Sequence, residues 1–288
     1  MRIASQRTRP AAAALVAAAF AVLAMPVSAR AQQFDRPVTP GLGENYHAEI
    51  AFTFWNPALN GIVASEQFGI AGDDVNFVSD LGFEQKRFRE MKIVLRPAKK
   101  HRFRLQYTPI SYTADARLSR SIVFNGQNFD VSLPVSSQFD WKVWRIGYEY
   151  DAYYTPRGFI GVLFDVRQTR LNARLASPVA EEFTTASAPL PAIGVVGRVY
   201  PLPELAINFE VSGMRLPDIG QDYTNSAGLT IPKYEANYFD WDINGTVNLG
   251  ENVGLQMGWR RITTLLRIES DKGDVKFQGL YFGAALRY

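Results

Sequence analysis

The sequence predicts an all-β protein, an antiparallel up-and-down β-barrel of about 10 strands, and three observations lead to this prediction. Apolar and polar residues alternate with a period of two, as at 205–213, and no window after the N-terminus keeps the period of a helix. Several alternating segments are far longer than a usual strand of about 5–6 residues. Short and long connections also alternate along the chain, and aromatic residues make up 13% of it. Both features are typical of barrels that cross a membrane.

Counting back from the C-terminus gives the predicted strands, which are 46–56, 84–96, 101–117, 137–152, 158–175, 182–200, 204–216, 234–249, 252–268 and 274–288. The short turns fall at 97–100, 151–157, 201–203 and 250–251, and the longer connections at 57–83, 118–136, 176–181 and 217–233, with a tight turn at 271–273. A further strand at 62–71 would change the count, so 8–12 strands are compatible with the sequence.

The N-terminus has the layout of a secretory signal peptide. Three arginines precede an apolar stretch at 11–25, and the small-residue site Ala29-Arg30-Ala31 follows. The stretch is shorter than the roughly 20 residues of a spanning helix. We therefore expect cleavage before Gln32, a signal peptide at 1–31, a loose periplasmic lead at 32–45 and the barrel at 46–288.

The last strand ends the chain on a bare aromatic residue. Gly283, Leu286 and Tyr288 give it a glycine, an apolar residue three positions later and a terminal aromatic. This pattern resembles the C-terminal targeting strand of bacterial outer-membrane β-barrels. The resemblance implies insertion by the barrel-assembly machinery with help from periplasmic chaperones. It also implies an outer membrane of a Gram-negative bacterium as the location, with its lipid and lipopolysaccharide as partners and both chain termini in the periplasm.

Charge and composition exclude several functional classes. The predicted signal peptide holds four of the 31 basic residues and none of the 28 acidic ones, so the mature chain has 27 against 28. Nothing in this balance indicates a nucleic-acid surface. The chain has no cysteine, which excludes disulfides and thiol chemistry. No metal-ligand motif or phosphate-binding loop is present, so we expect no metal and no cofactor.

If the apolar strand faces meet lipid, the opposite faces line the lumen. The charged residues on those faces form the candidate site, a lumenal ionic network of Glu49, Glu90, Lys92, Arg102, Arg104, Asp165, Arg167, Arg198, Glu210, Asp240, Asp242 and Arg260. A barrel of about eight to ten strands is just wide enough for side chains to fill, and buried charges must pair. A filled, rigid lumen is the first interpretation; a narrow anion-favouring pore lined by the arginines is the second.

Some strands change phase partway. Phe139, Trp141 and Val143 share one parity, whereas Trp144, Ile146, Tyr148 and Tyr150 share the other. Either a β-bulge or an outer half that leaves the membrane and loses its pattern would explain the change. Aromatic residues near strand ends are candidates for an interfacial girdle, namely Trp55, Trp144, Tyr148, Tyr150, Tyr200, Trp241, Trp259 and Tyr288.

The function expected from these features is that of a structural or narrow-channel outer-membrane barrel. The alternative is a binding or adhesion barrel that acts through its loops, one of which carries a hairpin signal, Asn125-Gly126. An outer-membrane enzyme is the third hypothesis. The two histidines, His47 and His101, both fall at the edge with the short turns and have no evident nucleophile beside them, so we expect no enzymatic activity.

Overall fold

The computed structural model describes residues 39–64, 73–124, 126–131, 134–178, 181–216, 223–224, 228, 230–231, 234–268 and 271–288. All of them belong to one compact unit, Thr39–Tyr288. The predicted signal peptide and the first part of the lead lie outside these residues and stay predictions. None of the described segments is a helix that is long and apolar enough to cross a bilayer.

The described residues form sixteen strands. They are β1 (Ala48–Trp55), β2 (Ala58–Ala64), β3 (Val75–Asn76), β4 (Phe88–Ala98), β5 (His101–Arg117), β6 (Ile122–Phe124), β7 (Gln127–Phe129), β8 (Pro134–Thr155), β9 (Gly158–Ala176), β10 (Glu181–Leu202), β11 (Leu205–Leu216), β12 (Tyr223–Thr224), β13 (Thr230–Ile231), β14 (Tyr234–Asn248), β15 (Val253–Ile268) and β16 (Asp271–Arg287).

Antiparallel pairing closes these strands into a barrel. The order is β1-β4-β5-β8-β9-β10-β11-β14-β15-β16, and β16 pairs back onto β1. Strand β2 continues the line of β1 beyond Asn56 and Pro57 and pairs with the first half of β16. The first position of the barrel is therefore a strand interrupted once, and the closed barrel has ten positions. This confirms the predicted fold class and the strand count of ten.

The ends of the barrel differ in their connections. At the short-turn end lie the turns at 99–100, 156–157, 203–204 and 249–252, together with Ala48 and Tyr288. The opposite loop end carries the longer connections. There the predicted hairpin forms as β6 and β7, with Gly126 at a φ of 79°, a value that glycine adopts at little cost. The predicted tight turn at 271–273 is wrong, because Asp271 already pairs with Ile268 across the two strands.

The apolar and polar faces exchange places halfway along the barrel. In the short-turn half, the outward residues are apolar, as at Phe103, Ile146, Val166 and Met257, and the inward ones are charged. In the loop half, the interior is apolar and the outward face is polar. The inward set includes Trp55, Ile110, Tyr112, Phe139, Trp141, Leu171, Tyr238, Ile262, Val275 and Phe277, and the outward set includes Ser111, Lys142, Arg170, Asn172, Arg261 and Lys276.

This exchange explains the change of phase within strands. Pairing of β8 with β5 is continuous from Pro134 to Tyr150, so no bulge separates Val143 from Trp144. Val143 points inward and Trp144 outward in one unbroken alternation, and only the chemistry of the two faces changes. Of the two sequence explanations, the bulge is wrong. The second is right that the outer half differs, but the pattern inverts instead of being lost.

Two of the candidate girdle residues are not on the outer surface. Trp55 and Tyr200 are buried, at 0% and 2% exposure, and both point into the barrel. Trp55 donates a hydrogen bond from its indole N–H to the carbonyl of Gly279 at 3.1 Å. Trp144, Tyr150, Trp259 and Tyr288 are exposed, in agreement with the girdle prediction.

Candidate functional site

The short-turn half of the lumen holds a layer of paired charges, which we call the charged layer. Within the described residues it contains nine cations and nine carboxylates, so it carries no net charge. The cations are Lys92, Arg96, Arg102, Arg104, Arg145, Arg167, Arg198, Arg260 and Arg287; the carboxylates are Glu44, Glu49, Glu90, Glu149, Asp151, Asp165, Glu210, Asp240 and Asp242.

Most of these groups form one continuous chain of alternating sign. The chain starts at Glu44 and runs through Arg102, Glu149, Arg104, Glu210, Arg145, Asp165, Arg167, Asp240 and Arg260 to Glu90. Its closest links are 2.5–2.6 Å and its longest is 3.3 Å. Each inner member contacts two opposite charges, which is the arrangement that makes burial of ions tolerable.

Members of this chain come both from neighbouring strands and from strands that lie farther apart in the sheet. Arg145 on β8 and Asp165 on β9 are 2.6 Å apart, and their side chains are 7% and 0% exposed. Arg167, two residues beyond Asp165, faces the same side of β9, because side chains of a strand alternate. It also reaches across the lumen to Asp240 on β14 at 3.2 Å. The chain therefore ties together strands that are not neighbours in the sheet.

The structure places all twelve sequence-predicted site residues on inward faces. Ten of them lie in ion pairs within 4.0 Å, and Lys92 and Asp242 are the exceptions among the described residues. Asp242 instead accepts hydrogen bonds from Asn244 at 2.7 Å and from the Tyr281 hydroxyl at 2.9 Å. Lys92 and Asp242 both line a polar cavity of about 100 Å³, a volume that suits a few water molecules.

The predicted network omits six members of the charged layer: Glu44, Arg96, Arg145, Glu149, Asp151 and Arg287. Arg145 and Glu149 alternate with the outward residues Trp144, Ile146 and Tyr148, so the period-two signal was present in the sequence. The phase change noted in β8 obscured it. Arg287 lies beside the terminal aromatic and pairs with Glu49 at 2.5 Å.

Glu44 belongs to the lead, and the described part of that lead is not loose. Backbone N–H groups of Gly41 and Leu42 donate to the carbonyls of Pro156 and Pro203 in two short turns. The Glu44 carboxylate is then placed inside the barrel, where it pairs with Arg102 at 2.8 Å and Arg198 at 3.2 Å. Residues 39–46 therefore close the short-turn end of the lumen.

Above the charged layer, the loop half of the lumen is filled by apolar side chains. The barrel contributes Trp55, Phe139, Trp141 and Phe277, and the rings of Trp141 and Phe277 have centroids 5.0 Å apart. The connections add a lid, defined as residues 73–87 and 118–131. The lid side chains buried in this apolar layer are Val75, Phe77, Leu81, Phe83, Leu118, Ile122, Phe124 and Phe129.

The two parts of the lid are joined at their exposed side by Arg120. Its guanidinium lies 2.8 Å from Asp80 and also donates to the carbonyl of Asp74. Partial burial raises the pKa of Asp80, but hydrogen bonds from Arg120 and from the Asn76 N–H outweigh it and hold the pKa below its usual value. The Asp80 carboxylate therefore stays charged at neutral pH and remains paired with Arg120, which belongs to the part of the lid that contains the β6–β7 hairpin.

The sequence matches no protein-family model and no curated protein. The fold is similar to that of the outer-membrane protease OmpT from Escherichia coli, with 9% identity, a TM-score of 0.53, and coverage of 87% of this chain and 99% of that one. The fold is that of a bacterial outer-membrane β-barrel. Two other solved structures to which this chain is similar are the toluene transporter TodX of Pseudomonas putida, at 8% identity and a TM-score of 0.34, and the translocator domain of the autotransporter NalP of Neisseria meningitidis, at 10% identity and a TM-score of 0.37. This chain covers 96% of each of them, and they cover 87% and 96% of it.

In this ten-stranded barrel both histidines lie at the short-turn end. The backbone N–H of His47 donates a hydrogen bond to the backbone carbonyl of Tyr288. The ring Nδ1 of His101 lies 2.6 Å from the hydroxyl oxygen of Tyr148. Neither ring has a serine or carboxylate partner among the described residues. The described residues also contain no group of three His, Asp or Glu side chains placed to hold a metal ion.

Proposed function

We propose that the protein resides in the outer membrane of a Gram-negative bacterium as a sealed structural barrel. The observation that carries this proposal is the filling of the lumen by two stacked layers, one charged and one apolar. An ion entering from the loop end would have to pass the packed rings of Phe139, Trp141 and Phe277. It would then meet a charged layer that carries no net formal charge and in which all members but Lys92 and Asp242 lie in ion pairs. Within the described part of the chain, these two layers leave the narrow-channel interpretation without support.

Residence in the outer membrane is supported by three features together. They are the closed ten-stranded barrel, the outward apolar band of its short-turn half, and the signal-peptide layout at the N-terminus. The periplasmic location of both termini is proposed on the same grounds, because Ala48 and Tyr288 lie at the short-turn end. Short turns at the periplasmic side and longer loops outside are the pattern of bacterial barrels. With the lumen sealed, the places left for function are the lipid-facing wall and the loop end. A non-enzymatic role follows as a proposal as well.

The test of the sealed lumen is conductance across a planar lipid bilayer. The purified mature protein is expected to give no steady channels, although flotation of the same protein with vesicles shows that it has inserted. Replacing Gln256 with serine enlarges the polar cavity without removing a charge, and it should leave the bilayer equally tight, since the apolar layer still blocks the path. Stable channels from the unmodified protein would overturn the proposal and favour a pore.

The terminal aromatic residue is expected to act in assembly. Tyr288 is 89% exposed, and its bonds to the barrel come from the backbone, whose carbonyl accepts from His47 and Ala48. Replacing Tyr288 with serine keeps those bonds and removes the ring. We expect a lower yield in the outer membrane of cells and unchanged refolding into detergent, measured by fractionation and by heat-modified gel mobility. Replacing Tyr153, which is 65% exposed at the same end, with serine is the matched control. A loss of refolding for Tyr288→Ser would show that the ring acts in packing.

A further inference from the structure

The outward face of the barrel carries a group of cations just beyond the apolar band. Lys142 on β8 and Arg170 on β9 stand directly opposite each other in the strand register, and both are exposed. Cross-strand partners of this kind have Cβ atoms about 4.5–5.5 Å apart, and like charges in that position repel each other. Nothing among the described residues lies within ion-pair distance of either cation. The closest acid along β8, Asp140, accepts a hydrogen bond from Gln138 at 2.9 Å.

Neutral donors and an aromatic pair surround these two cations. Gln168, adjacent to Arg170 on the same face of β9, donates a hydrogen bond to Ser187 on β10 at 3.0 Å, and Ser187 lies opposite Arg170. On the membrane side, Trp144 is the outward neighbour of Lys142, and its ring stacks on that of Tyr107 with centroids 4.4 Å apart. Exposed aromatic rings of this kind occupy the boundary between hydrocarbon and headgroups.

Other strands carry further outward cations in the loop half of the barrel. They are Arg89, Arg215, Arg261 and Lys276. The charged layer carries no net formal charge and the mature chain has a near-zero balance, so the unpaired positive charge of Lys142 and Arg170 is local. A pair of cations next to an apolar band is complementary to a molecule with acyl chains and an anionic head.

We propose that Lys142 and Arg170, with Trp144 and Tyr107 beneath them, bind the phosphate of a glycolipid in the outer leaflet, the chemistry that lipopolysaccharide presents. The acyl chains lie along the apolar band, and the phosphate bridges the two facing cations and removes their repulsion. The arginine offers a pair of parallel N–H donors to phosphate oxygens. This inference rests on the proposed residence in an outer membrane.

The experiment is a titration of the full mature protein in detergent with bis-phosphorylated lipid A, followed by native mass spectrometry. The double variant Lys142→Gln/Arg170→Gln is expected to bind lipid A about 30-fold more weakly. Two cations near a lipid surface together contribute about 2 kcal/mol to binding, which corresponds to this factor. The matched control is Lys100→Gln/Arg174→Gln. It removes the same charge from a short turn and from an arginine of β9 that is already paired with Glu181, and it should bind like the unmodified protein.

Three results would overturn the proposal. They are equal weakening in the control, equal binding of lipid A stripped of its phosphates, and displacement of the lipid by millimolar inorganic phosphate, which would indicate a site for the free anion. Retention of binding by Lys142→Arg would support it. Since the titration is done in detergent, its outcome is separate from that of the fractionation and conductance tests of the proposed function.

Discussion

Replacing Asp165 with asparagine is expected to destabilise the folded barrel by about 3–5 kcal/mol. The Asp165 side chain is 0% exposed and accepts hydrogen bonds from the Nε–H of Arg145 at 2.8 Å and from the Nε–H of Arg167 at 2.7 Å. Asparagine has nearly the same shape but no charge, so two buried guanidinium groups lose part of their compensation while the packing volume is kept. The free energy of unfolding in urea, measured in lipid vesicles, gives the size of the effect.

An exposed ion pair on the same strand provides the control for this experiment. Arg174 and Glu181 are also 2.6 Å apart, but their side chains are 50% and 56% exposed. Replacing Glu181 with glutamine should change the free energy of unfolding by only about 0–1 kcal/mol, because water screens the pair. If both substitutions had the same small effect, water would screen the charged layer as it screens the exposed pair, and the interpretation of that layer as a buried ionic network would be wrong.

A cation placed on the apolar band should lower the free energy of unfolding nearly as much as the Asp165→Asn substitution. Met257 points outward from the short-turn half of β15, within the apolar band, and is 65% exposed, so we expect Met257→Arg to destabilise the folded barrel by about 2–4 kcal/mol near the membrane midplane. Its neighbour Gln256 points into the polar cavity, and Gln256→Ser should be close to neutral. The unfolding experiment in vesicles checks both, and Met257→Leu controls for the loss of the thioether.

A neutral result for Met257→Arg together with a large loss for Gln256→Ser would reverse the two faces of β15. The apolar band would then point to the core of a water-soluble protein, and the proposed membrane residence would fail with it. The comparison needs only two adjacent residues, because the side chains of neighbours in a strand point to opposite faces.

The strands could be predicted from the sequence because the pattern that marks a strand is local in the chain. Period-two alternation depends only on which face meets which environment, and it survives in β9 and β11 to within one or two residues of the observed bounds. The first barrel position is different. Pro57 interrupts it, and β2 is recognised as its continuation only through pairing with β16, which is more than 200 residues away in the chain.

The interior was only partly predictable for a related reason. Inward direction follows from parity, so the twelve charged candidates could be placed, but the pairing of Arg167 with Asp240 depends on distances across the lumen. The apolar layer was missed because Phe139 and Trp141 have the composition of a lipid-facing strand. A sequence shows that a residue is apolar, but it does not show whether lipid or a lid covers it.

The length of the longest strands sets how far the loop end stands from the lipid. Strands β8 and β10 each have 22 residues, which at about 3.3 Å per residue and a tilt of about 40° give a height of roughly 55 Å. An apolar band of about 25 Å occupies less than half of this height. In the proposed membrane, the remainder would be a rigid extension filled by apolar side chains, and it would hold the β6–β7 hairpin away from the lipid. A partner approaching the cell would then meet the hairpin before it reached the membrane surface.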